Sequence, residues 1–320
     1  MNRALLLSWK ECPVRILSEV PLSSYTTFRL GGPCRFFITC QTPEELETVV
    51  THLLRNGEKF ILIGGGSNLV VADQGLDCAV IRYYSGEPIV RIDGTDLIVS
   101  GSTLLDQAVV FALKQSLAGL NYASGIPGTV GGAVVGNAGA FGRQVGDTLK
   151  SVRVITPSGE IKKRSASQLG FSYRHSALKE SAEIVVSARF GLSPGDQEQL
   201  RKERDQILQT RHEKHPNLQT HPCAGSFFRN IEPTSKAERR QAAGWFLEQA
   251  GAKNFRSGGA MIFDKHANII VKTDDCTAQN VYDLHLLMAK AVKEKFDLDL
   301  VREVRFVGTL EGVSQKNIVW

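Results

Sequence analysis

Two glycine-dense stretches carry the residue types from which a ligand site is most readily built. Residues 124–142 read Ser-Gly-Ile-Pro-Gly-Thr-Val-Gly-Gly-Ala-Val-Val-Gly-Asn-Ala-Gly-Ala-Phe-Gly, and residues 64–68 read Gly-Gly-Gly-Ser-Asn. A flexible linker would mix glycine with serine and charge. Here Ile126, Val130, Val134, Val135 and Phe141 alternate with the glycines, so the longer stretch is expected to be buried. Glycine lets main-chain N–H groups approach a ligand and take positive φ, and successive N–H groups in such turns form a concave anion site. A phosphate-bearing cofactor suits that chemistry. The alternative for one such loop alone is a set of tight turns packed against neighbouring backbone, and the presence of a second loop weighs against it.

The elements around the loops narrow the choice. Residues 59–63 (Lys-Phe-Ile-Leu-Ile) have the apolar run of a short buried strand, which enters the 64–68 loop directly and is followed by a second apolar run at 69–72. A Rossmann unit would place G-x-G-x-x-G at the mouth of a helix, and neither loop has that spacing. No G-x-x-x-x-G-K-[ST] occurs either, which excludes a P-loop. The loops therefore point to a nucleotide cofactor held largely by main-chain donors in a different fold.

The 320 residues suit two domains at about 150 residues each. Hydrophobic content of 42% and charged content of 22% are those of a globular chain. The net charge of +5 favours anionic ligands in general, and neither an aromatic-interleaved basic stripe nor a zinc-finger spacing points to nucleic acid. The six cysteines, at 12, 34, 40, 78, 223 and 276, include no C-x-x-C pair, so no metal site or disulfide framework is expected and most are expected to be buried thiols. The run Leu5-Leu6-Leu7 is interrupted by Lys10 and Glu11 before reaching signal-peptide or membrane-spanning length, and a cytoplasmic protein without membrane partners is expected.

Residues before about 20 show no strong pattern. A strand is expected around Phe36-Phe37-Ile38, then a helix opened by a capping box, with Thr42 as N-cap, Pro43 at the first turn and Glu45 reaching back, running to Gly57. Asp93-Gly94 predicts a hairpin, residues 104–117 a helix, Pro157-Ser158-Gly159 a second hairpin, and 184–190 a strand. Beyond a composition change at 194–196, helices are expected at 197–213, 235–250 and 277–296, with a strand at 268–272.

Several motifs in order resemble the UDP-N-acetylenolpyruvoylglucosamine reductase family. They are Thr26-Thr27-Phe28-Arg29-Leu30-Gly31-Gly32, residues 64–71, residues 125–142, Phe171-Ser172-Tyr173-Arg174-His175-Ser176, Ala224-Gly225-Ser226-Phe227-Phe228-Arg229-Asn230, residues 243–251, Lys265-His266-Ala267-Asn268 and Glu303-Val304-Arg305-Phe306. The resemblance spans nearly the whole chain. It implies an α+β protein with a two-part FAD-binding domain of the p-cresol methylhydroxylase/vanillyl-alcohol oxidase type and a smaller α+β substrate-binding domain. The expected boundaries are 1–192, subdivided at about 20–82 and 83–192, and 193–320.

The resemblance also implies an activity: NADPH reduces non-covalently held FAD, which reduces the enolpyruvyl ether of UDP-N-acetylglucosamine to UDP-N-acetylmuramate for peptidoglycan synthesis. That chemistry needs a cation for the substrate carboxylate and a proton donor. Arg174 matches the family's catalytic arginine, Ser226 its proton donor and Glu303 its acidic residue. Gly64, Gly65, Gly66, Ser67, Asn68, Gly125, Ile126, Pro127, Gly128, Thr129, Gly131, Gly132, Asn137, Gly139 and Ala140 are expected to bind FAD, and Arg229 and Asn230 the substrate, with no metal. Arg229 departs from the family's more usual lysine, Ile231 from its proline and Phe141 from its tyrosine. No counterpart of the tyrosine-bearing insertion of one subgroup is found, and a monomer without nucleic-acid partners is expected. A different flavin oxidase on the same scaffold would share the loops without needing Arg174, Ser226 and Glu303 together, and a non-catalytic nucleotide binder would need only the loops.

Overall fold

The computed structural model describes residues 14–233 and 239–313. Its contacts group the chain into two compact units. The first takes residues up to 18, 35–65 and 78–211, and the second takes 19–34, 66–77 and those from 212 onward. The chain leaves the first unit within the short glycine loop, between Gly65 and Gly66.

In the first unit, Phe60–Ile63 pairs in parallel with Leu76–Tyr83, and the four-stranded sheet continues outward through Pro33–Cys40 to Arg15–Pro21. The strand at 15–21 was not expected, because its burial alternates weakly and leaves little apolar period to read. Helix α1 (Pro43–Arg55) has the expected capping box, in which Thr42 accepts from the Glu45 N–H and Glu45 reaches back, with Pro43 in the first turn. It buries Leu46, Val49, Val50 and Leu53, the i, i+3, i+4, i+7 stripe, against Phe36, Ile38 and Ile81.

A five-stranded antiparallel sheet follows in the order Ile161–Ser165, Leu149–Ile155, Ile184–Gly191, Asp96–Ser100, Val90–Asp93. The Asp93↔Asp96 pairing closes the expected hairpin, with Gly94 at φ +63. Helix α2 (Leu105–Lys114) stops three residues short of the expected 117, because Ser116 turns left-handed at φ +54 and Leu117–Ala118 pairs with Ser193–Pro194. Helix α3 (Val130–Gly136) lies inside the long glycine stretch, Leu178–Ser181 forms the short α4, and α5 (Gln197–Lys214) belongs with this unit up to Arg211.

The second unit holds the antiparallel strands Arg256–Ser257, Ala260–Phe263 and His266–Lys272, and the helices α6 (Ala243–Gln249) and α7 (Ala278–Phe296). Its core joins Ile262, Ile269, Ile270, Val281, Leu284 and Met288. Arg305–Val307 runs parallel to Leu69–Val71. The helix expected over 235–250 is shorter: residues 239–242 are not helical, since Gln241 forms a bridge with Ile231, and 234–238 lie outside the described residues, as do Cys12 and the Leu5–Leu7 run. Four of the five described cysteines are buried, as expected, and Cys78 is half-buried. Among the described residues no helix is long and apolar enough to cross a membrane, and no group of three or more His, Cys, Asp or Glu could hold a metal ion.

Candidate active site

The glycine loops of the first unit lie against each other. A Cβ at Gly64 would fall 2.3 Å from Thr129 Oγ1, one at Gly65 3.0 Å from the Gly128 Cα, and one at Gly131 3.1 Å from the Gly101 carbonyl oxygen. Packing against neighbouring backbone, the alternative reading of one loop alone, thus accounts for Gly65 and Gly131, and the Thr129 side chain for Gly64. It leaves the donors to be placed. Among the described residues, the N–H groups of Gly64, Gly65, Gly128 and Thr129 meet no protein acceptor, whereas the N–H groups of Val130, Gly131 and Gly132 donate to Thr103 O, Gly101 O and Thr129 Oγ1. Four main-chain donors without a described protein acceptor, on two loops that touch, suit an anion. Gly125 turns at φ +70 and donates to Asp106 Oδ1 at 2.7 Å, and Gly128 stands at φ +113. Ile126 is half-buried and packs toward the α2–α3 core, while Pro127 is exposed.

Arg211 was not anticipated from the sequence. It lies against Gly125, where an added Cβ would stand 3.3 Å from its Cδ and Nε, and burial holds its guanidinium below the usual arginine range. A partly desolvated cation beside a glycine turn fits a phosphate. In the sequence it is one of many charges in a charged helix, with no local signal to single it out.

Past α3 the chain forms a two-residue hairpin. Gly139–Ala140 pairs with Arg143–Gln144, and Phe141 and Gly142 occupy the turn at φ +52 and +77. Gly139 is required there, since a Cβ would sit 2.5 Å from the Arg143 carbonyl oxygen. Gly132 is exposed at the start of α3. Asn137 ends α3 in the left-handed region at φ +44, and its buried amide is engaged within the protein. Nδ2 donates to Ser172 O (2.7 Å) and Gln144 Oε1 (3.0 Å), and Oδ1 accepts from the Gly146 N–H (2.9 Å).

Arg174 occupies the second corner of a turn whose flanks, Ser172 and His175, exchange two main-chain hydrogen bonds of 3.2 and 3.1 Å. Its φ is +55. An arginine in the left-handed region costs about 1–3 kcal/mol that glycine or asparagine would largely avoid. Its guanidinium carbon lies 5.3 Å from the Tyr173 ring centroid.

Ser226, Glu303, Arg229, Asn230, Ser67 and Asn68 fall in the second unit. Residues 226–229 run extended between two neighbours. On one side Ser226 bridges Ile269 and the Phe227 N–H donates to Asn268 O; on the other the Glu303 N–H donates to Phe227 O at 2.8 Å and the Arg229 N–H to Val301 O. Ser226 and Glu303 are thereby brought onto adjoining backbone, though 77 residues separate them in sequence. Glu303 lies just before the strand Arg305–Val307 rather than at the end of one. Asn68 reaches the same place, with Nδ2 donating to Glu303 O at 3.2 Å and its own carbonyl accepting from the Arg305 N–H at 3.1 Å. Gly66, at φ +61, needs its glycine because a Cβ would meet Tyr25 O at 2.2 Å.

The buried Nε of Arg229 has no hydrogen-bond partner among the described residues. Arg305, also not anticipated as a site residue, is held below the usual arginine range by burial and by the charge of Arg229. Arg229 and Arg305 thus place two like charges near each other in a half-buried part of the second unit. Asn230 Oδ1 accepts from the Ala243 N–H at 3.2 Å, which caps α6. Behind Ser226, Asn268 Oδ1 accepts from the Phe228 N–H (2.9 Å) and its Nδ2 donates to Phe228 O (2.8 Å).

Comparison with known proteins shows the family. Residues 34–165 match an FAD binding domain family, and residues 215–307 match the C-terminal domain of UDP-N-acetylenolpyruvoylglucosamine reductase. The reductase of that name from Bacillus pumilus is 35% identical over 295 residues, which is 92% of this chain and 94% of the relative. The one from Lactobacillus acidophilus is 36% identical over 304 residues, 95% and 98% of the two chains. A crystal structure of UDP-N-acetylenolpyruvylglucosamine reductase from Thermus caldophilus superposes with a TM-score of 0.74 at 31% identity, covering 92% of this chain and 99% of that one. The chain belongs to the UDP-N-acetylenolpyruvoylglucosamine reductase family.

Proposed function

We propose that this chain reduces the enolpyruvyl ether of UDP-N-acetylglucosamine to UDP-N-acetylmuramate, with Arg174, Ser226 and Glu303 as its catalytic residues. Membership of the family makes it an FAD-dependent oxidoreductase of peptidoglycan precursor synthesis. The observation that carries the cofactor assignment is the set of main-chain donors at Gly64, Gly65, Gly128 and Thr129 without a described protein acceptor, with the partly desolvated Arg211 against Gly125 of the same loop. These residues suit the diphosphate of a dinucleotide, and Gly66, Ser67, Asn68, Gly125, Ile126, Pro127, Gly131, Gly132, Gly139 and Ala140 complete the proposed FAD-binding surface. The Asn137 amide has spent both of its hydrogens elsewhere.

Bound FAD supplies hydride transfer, taking its reducing equivalents from NADPH. The protein's own groups do the rest. The planar fork of Arg174 binds the substrate carboxylate and neutralises the charge that grows on it as the double bond is reduced. Ser226 Oγ delivers a proton to the carbon next to that carboxylate, and Glu303 stabilises the serine oxygen and helps return its proton. Arg229 and Arg305 bind the nucleotide's diphosphate, and Asn230 borders them while capping α6. Residues 1–192, together with Arg211 on α5, serve FAD and the rest of 193–320 serves the substrate, in a cytoplasmic, monomeric enzyme.

Anaerobic half-reactions test the proposal. The purified protein is expected to be yellow, to bleach with NADPH and to recover its colour when the enolpyruvyl sugar nucleotide is added. Failure of the nucleotide to restore colour to a bleached enzyme would leave a flavoprotein of another substrate class.

A further inference from the structure

Asn137 sits at the junction of two features that the proposed function uses separately, the cofactor helix α3 and the Arg174 turn. The left-handed Asn137 closes α3, and its side chain crosses to the carbonyl of Ser172, the residue at which the Arg174 turn begins. Since Arg174 adopts a disfavoured left-handed φ, the turn keeps its shape only if its flanks are held. Side-chain bonds help to hold them. Asn137 Nδ2 donates to Ser172 O (2.7 Å), Ser176 Oγ donates to Val135 O (2.7 Å), and Lys179 Nζ donates to Arg174 O (2.7 Å). The Asn137 bond is the one that comes from a fully buried amide whose other atoms are fixed, by Gln144 Oε1 and the Gly146 N–H. An amide with both hydrogens spent and its oxygen occupied has no freedom to rotate, so it transmits the position of α3 to the turn.

We propose that Asn137 is a positioning residue for Arg174: through Ser172 it locks the strained turn that aims the guanidinium, and so ties the place of the catalytic cation to the helix beside the cofactor. The proposal rests on the reading that Arg174 meets the substrate carboxylate. It gives Asn137, expected from the sequence as a cofactor contact, a role as a link between two parts of the site.

The test compares Asn137→Gly, which keeps the left-handed backbone and deletes the amide, with Asn137→Asp, which keeps an acceptor for Gly146 but sets a carboxylate against the Ser172 carbonyl. Each is made alone and together with Arg174→Ala, and the two half-reactions are followed by anaerobic stopped-flow absorbance. Both variants are expected to retain FAD and to bleach with NADPH within about threefold of the wild-type rate. Reoxidation by substrate should slow about 10- to 100-fold, the scale for a misplaced reacting group. In the Arg174→Ala background neither substitution should slow reoxidation further, because the group it positions is gone. Equal slowing of both half-reactions, additive slowing on top of Arg174→Ala, or restoration of wild-type rates by the near-isosteric aspartate would each overturn the proposal. Loss of folding in both variants would do so as well, since it would make Asn137 a core residue rather than a link to the turn. If Arg174→Ala alone is reoxidised at the wild-type rate, the reading of Arg174 fails instead, and the two failures are distinguishable.

Discussion

Arg174 and Ser226 are held in opposite ways. Arg174 projects from a two-residue turn in the left-handed region, fixed by three side-chain bonds and two main-chain bonds between its flanks. Ser226 lies on extended backbone that is bonded on both edges, to 268–269 and 301–303, and backed by the aromatic rings of Phe227, Phe228, Tyr282, His285 and Phe306. A laddered segment spreads its restraint over many donors, so the loss of one side chain leaves the serine in place. A strained turn concentrates its restraint in a few side chains. The first arrangement suits a small group that must deliver a proton at a fixed point. The second suits a long cation that must be aimed while its own backbone would prefer to relax.

The largest effect that could break this comparison is on proton transfer. Ser226→Ala is expected to leave bleaching by NADPH nearly intact and to slow reoxidation by about 10² to 10⁴, or roughly 2.7 to 5.4 kcal/mol at about 1.36 per tenfold. Because the ladder does not depend on the serine side chain, the variant's thermal stability should stay within about 0.5 kcal/mol of wild type. Reoxidation at the wild-type rate would make Ser226 a structural loop residue. Arg174→Lys comes next. A point ammonium cannot reproduce a two-pronged contact, and loss of one charged hydrogen bond of about 1.5–3 kcal/mol predicts reoxidation slowed by roughly 10- to 100-fold. Unchanged turnover would remove Arg174 from the site.

The same contrast explains what could be read in advance. Elements that announce themselves by local chemistry were legible: the capping box at Thr42, the helix expected at 277–296 and the Asp93-Gly94 turn all appear where the residues place them. Helix α3 was not legible, because three of the seven residues in VGGAVVG are glycine, each costing about 1 kcal/mol in a helix. It forms because Thr129 caps it and the carbonyls of Thr103 and Gly101 take its first N–H groups, a tertiary override invisible in the local sequence. The helix expected over 235–250 failed in the other direction at 239–242: these residues favour helix, yet the Ile231–Gln241 pairing keeps them out of it. For the site, motif order supplied the proposed residues, whereas the adjacency of Ser226 to Glu303 and the internal commitments of Asn137 and Asn230 depend on long-range pairing that no spacing reveals.

A smaller, structural effect sharpens the comparison from the ladder side. Asn268 is buried and satisfies both the N–H and the carbonyl of Phe228. Asn268→Ala leaves those two main-chain groups unpartnered, at about 1–3 kcal/mol each. Urea denaturation should show the loss, while the rate of reoxidation in the folded enzyme should fall by less than about tenfold, since Ser226 keeps its main-chain neighbours. A reoxidation defect as large as that of Ser226→Ala would mean that the segment is held by one side chain after all, like the Arg174 turn.

The smallest expected effect depends on pH and is confined to the Ser226 side. His285, on α7, is buried among Phe227, Phe228, Tyr282 and Phe306, with ring centroids 4.7 to 6.2 Å away. Its Nδ1 bonds to the Tyr282 carbonyl, which assigns the N–H to Nδ1 and leaves Nε2 neutral in an aromatic setting. Burial pushes the imidazole down to about 4; the Tyr282 carbonyl and Asp283 oppose that shift, and Arg302, stacked 5.0 Å from the Phe306 centroid, adds to it. A histidine whose folded pKa lies below its unfolded value of about 6.5 binds fewer protons when folded, so it favours the unfolded state more as pH falls from about 6.5 through about 4. The full effect is on the order of 1–3 kcal/mol and is absent above about pH 7. His285→Phe keeps an aromatic ring in the cluster and removes the titration. The variant should therefore match the wild type within about 1 kcal/mol at pH 7.5 and gain relative stability at pH 5, as read from urea midpoints at the two pH values. A wild-type protein that loses no more stability than His285→Phe between those two pH values would show that the imidazole charges freely, and that the rings behind Ser226 are packed more loosely than the ladder in front of them requires.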